Sequence, residues 1–295
     1  MKNKYNISIV GQSNTGKSTL INYLYGKYIT SESKKSQTTR INLSNLVQIK
    51  NTMVNIIDTP GVSLKHNDLL SSSMKNAYIK TLESIDLLIL MIDISKKDFL
   101  FEESILKLNN INGSKVIVII NKIDLCENYV LQSENIYNSF LKKHDNKYFF
   151  ISLKAKQGMD ELLDGIEKSL LLKKPLGLKK ITPDNNMRLA MQEMIRGVII
   201  NKTHSEVPYD TAVHIEQIDI KKKITTIKAN IYVNKDNQKK ILIGKKGDFI
   251  KQIGIDSRML LETLYEKRFF INLRVIVKDN WKNNYPLLKE IGYID

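Results

Sequence analysis

The segment Gly11-Gln12-Ser13-Asn14-Thr15-Gly16-Lys17-Ser18 fits the phosphate-binding pattern G-x-x-x-x-G-K-S/T at every fixed position. Ahead of it, residues 5–10 read as a short buried strand. Behind it, residues 19–25 carry apolar side chains at helical spacing. The loop therefore joins a strand to a helix N-terminus, where main-chain N–H groups and the helix dipole attract phosphate oxygens. Lys17 is expected to reach the β- and γ-phosphates and the Ser18 hydroxyl to bind Mg²⁺, with Thr19 following on the same turn. A glycine turn matching this pattern by accident has a probability of roughly one percent in a chain of ordinary composition, before the strand and helix are required.

Downstream residues extend the same reading. Residues 27–37 are polar and aperiodic and lead into Thr38-Thr39-Arg40. A threonine there can coordinate Mg²⁺ and sense the γ-phosphate, and Thr39 is favoured over Thr38. Residues 41–49 and 53–57 read as a hairpin around residues 50–52, and the second strand runs into Asp58-Thr59-Pro60-Gly61. Asp58 would hold Mg²⁺ through water and Gly61 would offer its N–H to the γ-phosphate. Residues 85–93 and 115–120 read as buried strands, with a helix over 101–110 between them, and the second strand ends in Asn121-Lys122-Ile123-Asp124. The Asp124 carboxylate can accept from N1–H and the 2-amino group of guanine, two donors that adenine lacks, while Asn121 braces the loop and Lys122 lies along the base. Ser152-Leu153-Lys154 follows a strand at 147–150 and would close over the base edge; a final helix is expected over 160–172.

The order of these motifs resembles the translation-factor-like class of GTPases, and it implies GTP or GDP with Mg²⁺. Lys17, Thr39 and Gly61 are then the catalytic candidates. Val62 stands where Ras-like proteins carry a water-positioning Gln, so slow intrinsic hydrolysis is expected. Asn14 fits either a K⁺ ligand, as in potassium-stimulated GTPases, or a brace of its own loop. Leu153 replaces the alanine usual in such proteins, with little loss expected because the base contact there is made by backbone.

A length of 295 residues favours two domains. The lone Cys126 excludes an internal disulfide, and the longest apolar run, residues 85–94, is half a membrane span and interrupted by Asp86 and Asp93. With no apolar leader apparent, a cytoplasmic location is expected. The net charge of +15 is weak evidence by itself, because only six of the 46 basic residues are arginine and abundant Lys, Asn and Ile are what an AT-rich genome encodes. Its distribution says more: residues 1–172 carry a net +5 and residues 173–295 a net +10.

Residues 173–183 combine two prolines, a glycine and four lysines without period, as a linker does. Beyond it the periodicity predicts a helix (187–200), two strands (211–219, 225–233), two helices (237–242, 249–264) and a strand (269–277). Gly244-Lys245-Lys246-Gly247 lies between the paired helices. That order resembles the type II KH fold, whose G-x-x-G loop clamps a single-stranded RNA backbone; Gly244, Lys245, Lys246, Gly247 and Lys251 are the implied RNA contacts. Ile243, Ile250 and Ile253 are core first and base-contacting second.

The whole chain resembles the Era family, bacterial GTPases of small-subunit ribosome assembly. Gln37-Thr38-Thr39-Arg40, Glu206-Val207-Pro208-Tyr209 and residues 288–295 agree with it locally. The resemblance implies a mixed, mostly parallel α/β P-loop GTPase domain with helices on both faces (1–172), a linker (173–186) and an α+β type II KH domain with a C-terminal helix (187–295). It also implies binding of the 3′ end of 16S ribosomal RNA and of the 30S subunit, GTP setting the RNA-competent state, a monomer, and peripheral association with the inner membrane. Two other readings stay open at this point: an RNA-binding module whose nucleotide site is structural, and a membrane-surface GTPase whose basic half binds anionic lipid.

Overall fold

The computed structural model describes residues 4–26, 40, 43–58, 68–95, 98–107, 116–126, 147–173, 175 and 183–294. The chain divides into two compact units: residues 1–26, 42–61 and 77–180 form the first, and residues 27–41, 62–76 and 181–295 the second.

The first unit is an α/β fold around a six-stranded sheet of order β2-β3-β1-β4-β5-β6. Its strands are β1 (Lys4–Gly11), β2 (Leu43–Ile49), β3 (Thr52–Asp58), β4 (Leu87–Asp93), β5 (Val116–Asn121) and β6 (Lys147–Ile151). Only β2 runs antiparallel, joined to β3 by a tight turn at Lys50-Asn51; Lys50 adopts a φ of 52°. Every residue of β4 and of β5 is buried. Strands covered on both faces need uninterrupted apolar runs, which is why these two carry no polar alternation. Leu87, Ile89, Met91, Ile117 and Ile119 join Ile7, Ile9, Leu20, Leu162 and Ile166 in one core, each such side chain contributing about 1.5–3 kcal/mol on leaving water. The helices are α1 (Lys17–Tyr25), α3 (Leu100–Lys107) and α4 (Met159–Leu171). A further helix, α2 (Leu69–Glu83), begins among the second unit's residues and ends among the first's. Its weak apolar stripe and its Ser71-Ser72-Ser73 run give no helical signal in the sequence.

The second unit folds α5 (Pro183–Lys202), β7 (Ala212–Ile220), β8 (Ile224–Val233), α6 (Asp236–Ile243), α7 (Asp248–Tyr265), β9 (Arg268–Val277), α8 (Tyr285–Ile291). Its sheet has the order β7-β8-β9, antiparallel across the first pair and parallel across the second. Helix α5 starts at Pro183, four residues before the expected 187. Proline at a first helical position is favoured because it surrenders an N–H that would have no partner there. Ile195, Ile199, Ile215, Ile227, Ile231, Leu242, Ile253 and Leu261 are fully buried at the centre of this unit, and Ile243 and Ile250 pack partly against them. Among the described residues no helix is long and apolar enough to cross a membrane.

Candidate nucleotide and RNA sites

Five parallel strands deliver their C-terminal ends to one edge of the first sheet, the edge at which open α/β sheets bind ligands. Register aligns Gly11 with Met91, Asp93 with Asn121, and Asn121 with Ile151. Asp58 pairs with Ile9, which puts its Cα two positions short of the loop's first glycine on the neighbouring strand. Gln12, Ser13 and Asn14 turn away from the sheet, Asn14 with a φ of 67°, and Gly16 sits at φ 106° immediately before α1.

Gly16 is required twice over: its φ lies where side chains are strained, and a Cβ there would stand 2.5 Å from the Asn121 amide nitrogen. That amide nitrogen donates to the Thr15 carbonyl at 2.8 Å, while its Oδ1 accepts from the Leu153 N–H at 3.2 Å. Asn121 thus locks the phosphate loop to the Ser152-Leu153-Lys154 segment, the bracing expected of it. Among the described residues no side chain caps α1, so an anion fits where its first turn opens. Lys17 Nζ donates to the carbonyls of Gly11 and Gln12 at 2.8 and 2.7 Å, which keeps the ammonium across the loop. Close backbone, a lysine ammonium and a hydroxyl at Ser18 form a donor set suited to polyphosphate and Mg²⁺.

Beyond β5, Ser152 Oγ donates to Asp124 Oδ1 at 2.5 Å and accepts from the Ala155 N–H at 3.0 Å, which fixes that carboxylate. Leu153 packs its side chain against the core. Lys122, at φ 71°, donates from Nζ to Asp93 Oδ2 at 2.6 Å. Burial alone would raise the Asp93 carboxyl; the bonds from Lys122 and Ser95 outweigh it and hold the group below its ordinary range. The sequence does not assign Asp93 this role, because the register of β4 on β5 is what brings it beside Asn121. Asp86, the other acid of that run, accepts the Asn6 N–H at 2.7 Å and serves the fold. Thr39, Thr59, Pro60, Gly61 and Val62 lie outside the described residues, as does the Asp58 side chain.

In the second unit α6 ends at Ile243 and α7 starts at Asp248, with Gly244-Lys245-Lys246-Gly247 between them. Lys245, Lys246 and Lys251 are exposed. Gly247 has a φ of 84°, and a Cβ on it would meet nothing within 4 Å, so glycine here supplies the turn and leaves the loop's outer surface clear for an approaching backbone.

Residues 6–122 match the family described as 50S ribosome-binding GTPase, and residues 191–282 match the KH domain family. GTPase Era of Fusobacterium nucleatum is 33% identical over 300 residues, covering 98% of each chain. This chain belongs to the Era family of GTPases. GTPase Era of Thermotoga maritima is likewise 33% identical, over 98% of this chain and 97% of its own. The crystal structure of Era in complex with MgGDPNP and nucleotides 1506–1542 of 16S ribosomal RNA matches over the full length of both chains, with a TM-score of 0.87 and 30% identity. A variant of Aquifex aeolicus Era bound to GDP and AlF4⁻ matches with a TM-score of 0.88 and 32% identity, again over both full chains. The Era family thus has both halves of this fold and has been seen with both ligand classes.

Proposed function

We propose that this protein is a GTP-hydrolysing switch that binds the 3′ region of 16S ribosomal RNA and assists assembly of the small ribosomal subunit. One observation carries the reading. A single chain holds a braced guanine-reading network, Asn121 to Thr15 and Leu153 and Asp124 to Ser152, together with an exposed Gly244–Gly247 loop, over the full length of an Era structure seen with MgGDPNP and 16S RNA.

The residues divide the chemistry. The loop from Gly11 to Ser18 and Thr19 binds and orients the phosphates, Lys17 contributing charge; Asn121, Lys122, Asp124 and Ser152 to Lys154 select the base. Mg²⁺, held by Ser18, Thr39 and water-linked Asp58, would neutralise charge on the phosphate oxygens. Thr39 and Gly61 would sense the γ-phosphate. Because Val62 has no polar group to orient water, Val62→Ala should leave basal single-turnover hydrolysis within about tenfold of wild type. A thousandfold fall in a folded variant would show that the position had been misassigned.

The experiment that tests the reading is the affinity of an oligonucleotide of the 16S 3′ region in GDP against a non-hydrolysable GTP analogue, with tighter binding expected in the latter. Lys245→Ala combined with Lys246→Ala should weaken RNA binding across sequences and flatten the log K versus log salt slope by up to about 1.4, at about 0.7 per single-strand phosphate. An unchanged slope would reduce the G-x-x-G to a turn. Absence of single-turnover hydrolysis would favour an RNA module with a structural nucleotide site, and flotation on anionic liposomes resistant to RNA competition would favour the lipid-binding reading.

A further inference from the structure

The buried cluster around Arg40 has no part in the two sites above. Arg40 follows directly on Thr38-Thr39, yet its side chain belongs to the second unit and is 2% exposed. Its Nη1 donates to the Thr211 carbonyl and its Nη2 to the Tyr209 carbonyl, both at 2.7 Å. The guanidinium lies 5.5 Å from the ring centre of Trp281 and 6.0 Å from that of Tyr293, within cation–π range, and the Arg40 N–H donates to Glu193 Oε2 at 3.3 Å. Residues 69 and 73, on the other side of the Asp58-Thr59-Pro60-Gly61 motif, reach Tyr293 and the nearby Asn283. Ser73 Oγ donates to the Tyr293 carbonyl at 2.6 Å, and the Leu69 N–H donates to Asn283 Oδ1 at 3.0 Å. Arg40, Tyr209 and Tyr293, one residue from each of the three strings that agree locally with the family, therefore meet here.

We propose that Tyr293 and its neighbours form a latch by which the RNA-binding unit holds both γ-phosphate-sensing segments, through Arg40 and through Ser73, so that nucleotide state and RNA affinity are coupled at this cluster. The inference rests on the reading of the protein as a GTP-controlled RNA binder.

The cluster is built to let Arg40 go. Glu193 is neutralised without it: Arg196 donates from Nε to Oε1 at 2.9 Å and from Nη2 to Oε2 at 2.6 Å. The Arg40 side chain, in contrast, is held by two neutral carbonyls, two rings and the Tyr293 hydroxyl beside a second arginine; Glu193 attracts it without forming an ion pair with it, and among the described residues its buried Nε has no hydrogen-bond partner. A buried cation without its own carboxylate costs more to keep than a paired one. Withdrawing Arg40 leaves a compensated Glu193–Arg196 pair behind, which is the property a releasable contact needs.

The test is the ratio of RNA dissociation constants in GDP and in the GTP analogue, measured by fluorescence anisotropy with the 16S 3′ oligonucleotide. Arg40→Met keeps the apolar stem and removes the guanidinium; Ser73→Ala removes one hydroxyl from a half-buried position. The ratio in Arg40→Met should fall to within about twofold of unity while GDP affinity stays within about twofold of wild type, and Ser73→Ala should lower the ratio in part. A purely structural role would weaken both nucleotide states alike and leave the ratio unmoved. Retention of the wild-type ratio in folded Arg40→Met, or in Ser73→Ala if Arg40→Met does not fold, overturns the latch and leaves the GTP-controlled reading standing. A wild-type ratio of one overturns both.

Discussion

Lys17→Ala is expected to remove tight binding of GTP and GDP and, with it, hydrolysis. The ammonium is held over the loop by the carbonyls of Gly11 and Gln12, so its charge is already in place where the phosphates are to sit. Two charge-assisted hydrogen bonds to phosphate oxygens contribute about 1.5–3 kcal/mol each, so their loss should weaken binding by about 10²- to 10⁴-fold. The fold should survive, because water can satisfy the carbonyls of Gly11 and Gln12 after truncation. Isothermal titration with GDP, alongside circular dichroism of the variant, checks both statements. Affinity within threefold of wild type would mean that the loop holds its ligand by backbone alone.

Asp124→Asn is expected to exchange guanine for xanthine. In the wild type Ser152 holds one carboxylate oxygen, which orients the group to accept from N1–H and the 2-amino group of the base. An asparagine can still accept the N1–H, but it sets an amide donor against the guanine 2-amino donor. The resulting unsatisfied pair costs about 1–3 kcal/mol, or roughly 10- to 10²-fold in GTP affinity. Xanthosine triphosphate carries a 2-oxo group at that place, so the same amide becomes its partner and the triphosphate should bind the variant better than GTP does. Competition among GTP, xanthosine triphosphate and ATP for a fluorescent nucleotide measures this directly. Equal affinity of the wild type for ATP and GTP would remove the base-reading role of Asp124.

Much of this architecture was legible in order along the chain because its determinants are local. Residues 5–10 are half apolar or more and residues 85–93 almost wholly apolar, and they became β1 and β4 within two residues at either end. Gly16, Gly244 and Gly247 announce their turns because few other residues tolerate those backbone angles. Helix α2 escaped notice, since its 15 residues include three successive serines and a polar majority; burial of Leu70, Met74, Tyr78 and Leu82 by the surrounding structure makes it a helix despite its composition.

By itself the sequence determined the two-part order, the glycine-bounded loop Gly11–Ser18, the tetrapeptide Asn121–Asp124 and the basic Gly244–Gly247 turn, because each is written in a few adjacent residues whose local chemistry does not depend on distant neighbours. Only the tertiary structure decided where charged residues would end up. Nothing near Lys122 in the chain says that Asp93 ties its ammonium, and nothing near Thr38-Thr39 says that Arg40 is buried against Thr211, Tyr209, Trp281 and Tyr293. An arginine in a polar stretch is ordinarily solvated; a pocket assembled from residues some 170 to 250 positions away supplies carbonyls and rings in place of water, and that exchange is settled by folding alone.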